Sequence, residues 1–116
     1  MKIGTIKNGA VNGKNARTVI QRRDLAQYGF ECHRPIEVDY CIEENFIGIF
    51  SLFRNSVSKN KVSCVNDKRR GYEYQTIDLR WKLEDRKAMF GNAEKLDIHV
   101  VGAAIYIVAE GREMSE

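Results

Sequence analysis

Apolar and polar residues alternate with period two in several short stretches of this chain. Residues 36–42 (Ile36-Glu37-Val38-Asp39-Tyr40-Cys41-Ile42) place apolar side chains at the even positions, with Glu37 and Asp39 between them. That is the pattern of a strand with one face on a core. Lys95-Leu96-Asp97-Ile98-His99-Val100 alternates in the same way. Arg17-Thr18-Val19-Ile20, Phe46-Ile47-Gly48-Ile49-Phe50, Lys61-Val62-Ser63-Cys64-Val65, residues 72–79 and Ala104-Ile105-Tyr106-Ile107-Val108 are β-branched or aromatic-rich and predict further strands. Ile3, Thr5 and Ile6 predict a short strand over residues 2–7. Turns are expected where Asn, Gly and charged residues cluster: residues 8–15, Glu43-Glu44-Asn45, residues 66–71 and Gly102-Ala103.

Two segments predict short helices instead. In residues 22–28, Leu25 and Tyr28 share a face and Gly29 stands as the stop. In residues 80–90, Trp81, Leu83, Ala88, Met89 and Phe90 are the apolar members and Gly91 is the stop. The tail from Glu110 is expected to fray.

The order is strand, loop, strand, short helix, alternating strand, turn, strand, and then the same again. Ile36-Glu37-Val38 aligns with Leu96-Asp97-Ile98, and Thr18-Val19-Ile20 with Gln75-Thr76-Ile77, an offset of about 60 residues. The expected architecture is one mainly β domain with two short helices. Its pseudo-repeats are residues 1–51 and 61–109, joined by a basic linker at 52–60. Each half is too small to close a core by itself, so the two should fold together.

Composition narrows the setting. Hydrophobic residues make up 43% of the 116 residues, enough for a packed core. No apolar run approaches the roughly 20 residues of a membrane helix. Met1-Lys2-Ile3-Gly4 has no apolar segment behind it of the kind a signal peptide needs. A cytoplasmic, nucleoid-associated protein is expected. Cys32, Cys41 and Cys64 are odd in number and scattered, so reduced thiols, no metal site and no cofactor are expected.

The net charge is only +3, but the charges are segregated. Residues 14–23 hold Lys14, Arg17, Arg22 and Arg23 without an acid, and residues 54–70 hold six cations against Asp67 alone. Acids gather at Glu37, Asp39, Glu43 and Glu44 and again at Glu84 and Asp85. A basic face of this kind is the footprint of a polyanion partner. No Ser/His/Asp set, dinucleotide fingerprint or phosphate loop is present, and no enzyme is expected. Asn8, Asn12 and Asn15 read as turn formers, and Tyr72 and Tyr74 as one face of a strand.

The stretches from Arg17-Thr18-Val19-Ile20 to Tyr28-Gly29-Phe30 and from Ile36 to Phe50 resemble the AbrB-like (SpoVT/AbrB, MazE, MraZ) swapped-hairpin DNA-binding family. So do the stretches from Thr76-Ile77-Asp78-Leu79 to Phe90-Gly91 and from Leu96 to Val108. The resemblance implies one barrel made of two interleaved copies, here in tandem in one chain. It also implies DNA contacts from Lys7, Lys14, Arg17, Arg22 and Arg23 in the first half. In the second half it implies Lys68, Arg69, Arg70, Arg80 and Lys82. The expected function is sequence-specific binding of double-stranded DNA as a homodimeric repressor of a prokaryotic, plasmid or phage operon. The alternative is a small protein-binding inhibitor or antitoxin-like module without DNA specificity. Steep salt dependence of duplex binding separates the two.

Overall fold

The computed structural model describes residues 1–9 and 11–113. Along them run β1 (Lys2–Lys7), β2 (Val11–Asn12), β3 (Asn15–Arg22), a 3-10 turn (Leu25–Tyr28), β4 (Pro35–Cys41) and β5 (Phe46–Ser51). Then come β6 (Asn60–Lys61), β7 (Ser63–Asp67), β8 (Tyr72–Lys82), α1 (Leu83–Phe90), β9 (Lys95–Val101) and β10 (Ala104–Ala109). The strands form a six-stranded sheet, β1-β9-β10-β5-β4-β6, and a four-stranded sheet, β2-β3-β8-β7. All pairings are antiparallel. The mainly β expectation is met by two open sheets; the strand order closes neither into a barrel.

Both sheets turn one face onto a shared core. The four-stranded sheet contributes Ile20, Ile77, Leu79 and Trp81; the six-stranded sheet contributes Ile36, Ile47, Ile49, Leu96, Ile98, Ile105 and Ile107. Leu25 and Phe30 close the core on one side, Met89 and Phe90 on another. Each such side chain is stabilised by about 1.5–3 kcal/mol on burial. Trp81 donates its Nε1 proton to Thr18 Oγ1 at 3.0 Å, and its ring lies 4.8 Å from Tyr40 and 6.0 Å from Phe90. Arg86 of α1 is buried and donates to the Gly9 carbonyl at 2.7 Å; burial pulls its pKa down.

The helices differ from expectation. The first is a single 3-10 turn, because β3 runs on to Arg22 and little chain remains before the Gly29 stop. Gly29 takes φ 92°, a left-handed conformation that glycine accepts freely, and Phe30 N–H closes back on the Leu25 carbonyl at 3.0 Å. The second begins at Leu83, not Arg80. Residues Arg80, Trp81 and Lys82 stay extended because they pair with Arg17, Ala16 and Asn15 of β3. Ala88, expected on the apolar side, is exposed.

The strand expected over residues 61–65 is broken at Val62. Val62 is buried, donates its N–H to the Arg34 carbonyl at 3.0 Å and accepts from His33 N–H at 2.9 Å. This pins the loop 31–34 beside β7 and places Cys32 opposite Cys64. The two form a disulfide with Cα atoms 5.5 Å apart, while Cys41 is free. The expectation of three reduced thiols is corrected here: the bridge joins residues 32 apart in the chain, brought together only by the tertiary fold. The expected fraying is corrected as far as Arg112. Gly111 N–H donates to Asp97 Oδ2 at 3.0 Å, and Arg112 Nη1 donates to the carbonyls of Glu44 and Asn45 at 2.6 and 2.7 Å. Residues 114–116 of the tail lie outside the described residues. Among the described residues no helix is long and apolar enough to cross a membrane.

Candidate nucleic-acid interface

Strand alternation sorts β3 and β8 into two faces. Ala16, Thr18 and Ile20 of β3 and Gln75, Ile77, Leu79 and Trp81 of β8 are buried toward the core. Asn15, Arg17 and Gln21 are exposed on the other side of β3, with Val19 half-buried among them. Asp78, Arg80 and Lys82 are exposed on the matching side of β8, with Tyr72 and Tyr74 half-buried toward its start. Register puts Asn15 opposite Lys82, Arg17 opposite Arg80, Val19 opposite Asp78 and Gln21 opposite Thr76. The result is a sheet face with basic, amide and aromatic side chains in rows.

Charge is arranged in two groups on this face. In the first, Arg17 forks onto Asp78, with Nε at 3.0 and 3.1 Å and Nη2 at 2.7 Å from the carboxylate oxygens. Arg80 Nη2 lies 3.9 Å from the same carboxylate. The Arg17 hydrogen bonds hold the Asp78 carboxyl below its ordinary range, although partial burial opposes them. Arg17, in turn, is raised by the same bonds. Asn12, Asn15, Arg17 and Arg80 line a shallow depression here. Lys14 and Lys82 border a second, with Lys87. Lys7, at the exposed end of β1, borders a third beside Arg17, Val19 and Gln21.

The second group surrounds Tyr72. The Arg23 guanidinium carbon lies 3.9 Å from the Tyr72 ring centroid, a cation–π stack. Arg70 Nη1 donates to the Tyr72 hydroxyl at 3.1 Å, and Tyr74 packs edge-on to Tyr72 with centroids 6.4 Å apart. The hairpin carrying Arg70 is shaped by Asp67, whose Oδ1 accepts from the N–H groups of Arg69 and Arg70 at 3.1 and 3.2 Å. Gly71 supplies φ 70°. Lys68 and Arg69 are exposed at the hairpin tip.

Of the ten sequence-derived candidates, Arg17, Arg80 and Lys82 share one sheet face, Arg23 and Arg70 meet at Tyr72, and Lys7, Lys14, Lys68 and Arg69 lie at its margins. Arg22 lines the same depression as Arg23, Arg70, Tyr72 and Tyr74, but its guanidinium is already engaged. Its side chain forks onto Asp24 at 2.7 and 2.9 Å, and Gly4 lies against its guanidinium. Sequence reasoning missed three contributors: Asp78, which ties up Arg17, the Arg23–Tyr72 stack, and Gln21. Alternation through Thr76, Asp78 and Arg80 places the acid on the basic face, but its cross-strand partner appears only with the register. Thr76 Oγ1 is buried on this face without a hydrogen-bond partner among the described residues.

A row of forked guanidiniums and amides can bind phosphates and base edges, and Tyr72 and Tyr74 add apolar surface beside them. Comparison of the chain with protein-family models, with curated proteins and with solved structures finds no match.

Proposed function

We propose that the outer face of the four-stranded sheet binds double-stranded DNA, and that the protein is a sequence-specific repressor of a prokaryotic, plasmid or phage operon. The observation that supports this reading is the convergence of Arg17, Arg80, Lys82, Arg23 and Arg70 on one solvent-facing surface, with Asp78, Asp67 and, beside Lys82, Glu84 as the acids. No catalytic role is assigned to it.

The AbrB-like swapped-hairpin reading belongs to the same proposal. It is supported by the way the halves interleave: β3 of the first pairs with β8 of the second, and β5 with β10. On this reading residues 1–51 and 61–109 are pseudo-repeats of one domain. A homodimer is proposed on a pseudo-palindromic operator, because one chain supplies one reader and a two-fold site calls for two. Light scattering that finds only monomer, with and without DNA, would count against the dimer.

The protein-binding alternative has one observation in its favour. Phe53 is 81% exposed and Val57 fully so, both in the connection between β5 and β6. The two readings separate in a titration of fluorescent duplex DNA at two salt concentrations. DNA binding that weakens steeply with salt, and weakens further in Arg80→Ala with Lys82→Ala, supports the first. Absence of binding at low salt, with the protein folded, removes it and leaves the alternative.

A further inference from the structure

At the far end of the four-stranded sheet, facing the core side, three ligand-type side chains meet. One Glu73 carboxylate oxygen lies 3.0 Å from Cys32 Sγ. A disulfide sulfur carries no proton to share with a carboxylate, whereas a thiol does. The position of Glu73 therefore suits the reduced pair better than the oxidised one. The Sγ atoms of Cys32 and Cys64 and the Glu73 oxygen all lie within 4.8 Å of one another. Ligands of a tetrahedral zinc ion, with Zn–S of about 2.3 Å and Zn–O of about 2.0–2.2 Å, stand about 3.5–3.8 Å apart, so small side-chain rotations bring this set into range.

The backbone around the cluster does not depend on the sulfur–sulfur bond. His33 N–H donates to Val62 and Val62 N–H to Arg34, at 2.9 and 3.0 Å. Cys64 is held opposite Gln75, and Asn66 opposite Glu73, in the β7–β8 ladder. Cys32 and Cys64 are half-buried and Glu73 is exposed, so both a reductant and an ion have access.

We propose that Cys32, Cys64 and Glu73 form, in the reduced chain, a three-ligand site for a thiophilic divalent cation such as zinc, and that the disulfide closes it. Two thiolates and a carboxylate select soft or borderline ions over magnesium or calcium. The step is balanced by a dithiol reductant. One reductant thiolate attacks Cys32 Sγ, the S–S bond breaks and Cys64 leaves as a thiolate. The second reductant thiolate then displaces Cys32, and the reductant departs as a disulfide, having given two electrons. Cation binding releases the proton of any thiol still protonated and leaves the fourth coordination position to solvent. The site stands apart from the DNA reading and does not rest on it.

The test uses the full chain, reduced with a phosphine that is then removed, and titrated with Co²⁺ as a coloured substitute for zinc. The expected result is one Co²⁺ per chain with a sulfur-to-cobalt charge-transfer band, displaced by Zn²⁺ and absent from the disulfide form. Glu73→Gln should weaken binding at least tenfold, Cys64→Ser should abolish the two-thiolate band, and Cys41→Ser should change nothing. The comparison of reduced with oxidised wild type needs no variant to fold. The proposal is overturned if the reduced wild type, still β by circular dichroism, binds no stoichiometric ion. It is equally overturned if the band survives Cys32→Ser, or if reduction alone unfolds the chain.

Discussion

Replacing Asp78 by asparagine isolates the electrostatics of the basic face. In the wild type, Arg17 is engaged by Asp78 through three hydrogen bonds, so its charge is largely neutralised before any ligand arrives. Lys82 and Arg23 remain, together with Arg80 and Arg70, whose contacts with Asp78 and Asp67 are long at 3.9 Å each and make no hydrogen bond. If each meets one phosphate, the slope of log K against log salt is about −3.6, and raising salt from about 50 to 200 mM weakens binding about 150-fold. Asp78→Asn keeps the shape of the side chain, removes its charge and releases Arg17. The slope should steepen to about −4.5 and the loss over the same interval to about 500-fold, with tighter binding at low salt. Lowering the pH cannot easily mimic this substitution. The Arg17 hydrogen bonds depress the Asp78 pKa, so the carboxylate keeps its charge until the pH falls below the ordinary carboxylate range. The assay is fluorescence anisotropy of a labelled duplex at four or more salt concentrations, with circular dichroism as the folding control. A folded Asp78→Asn protein with an unchanged or shallower slope would show that Asp78 does not hold Arg17 back from the duplex.

Three other perturbations probe the fold. Trp81→Phe removes the donor that satisfies the fully buried Thr18 hydroxyl and should cost about 1–3 kcal/mol in urea denaturation; an unchanged midpoint would contradict the assignment. Burial, outweighing the nearby Asp97 carboxylate, depresses the pKa of His99, so stability is complete above the unfolded value of about 6.5 and is lost as pH falls through the lower folded value; His99→Gln should flatten the melting temperature between pH 7 and 5. Residues 1–55 and 56–116 expressed apart should each be largely unfolded, because β3 and β5 lose the partners β8 and β10, and a stable monomeric half would contradict the shared core.

The parts of the fold visible in the sequence are those governed by local alternation. Ile36, Val38 and Tyr40 against Glu37 and Asp39 mark β4, and Leu96, Ile98 and Val100 mark β9. Gly29 and Gly91 mark the chain reversals after the 3-10 turn and α1, each with positive φ. What was not legible depends on partners distant in sequence. Residues 80–82 have helix-compatible composition, yet they are strand because Asn15, Ala16 and Arg17 lie opposite them. Arg22 and Arg23 look equivalent in the sequence. Alternation sends Arg22 toward Gly4 and Asp24, and Arg23 over Tyr72. The disulfide was hidden for the same reason, since the Val62 hydrogen bonds to His33 and Arg34 that bring the loop 31–34 beside β7 join residues distant in the sequence.

Whether the outer face of the four-stranded sheet binds DNA is read directly by a backbone amide NMR titration of the full chain with a mixed-sequence duplex at low salt. Salt-reversible shifts are expected at Arg17, Val19, Gln21, Arg23, Tyr72, Tyr74, Asp78, Arg80 and Lys82. The buried strands of the six-stranded sheet, such as Ile47, Ile98 and Ile105, should stay in place. Shifts confined to the connection around Phe53 and Val57, or none at saturating duplex, would contradict DNA binding by that face.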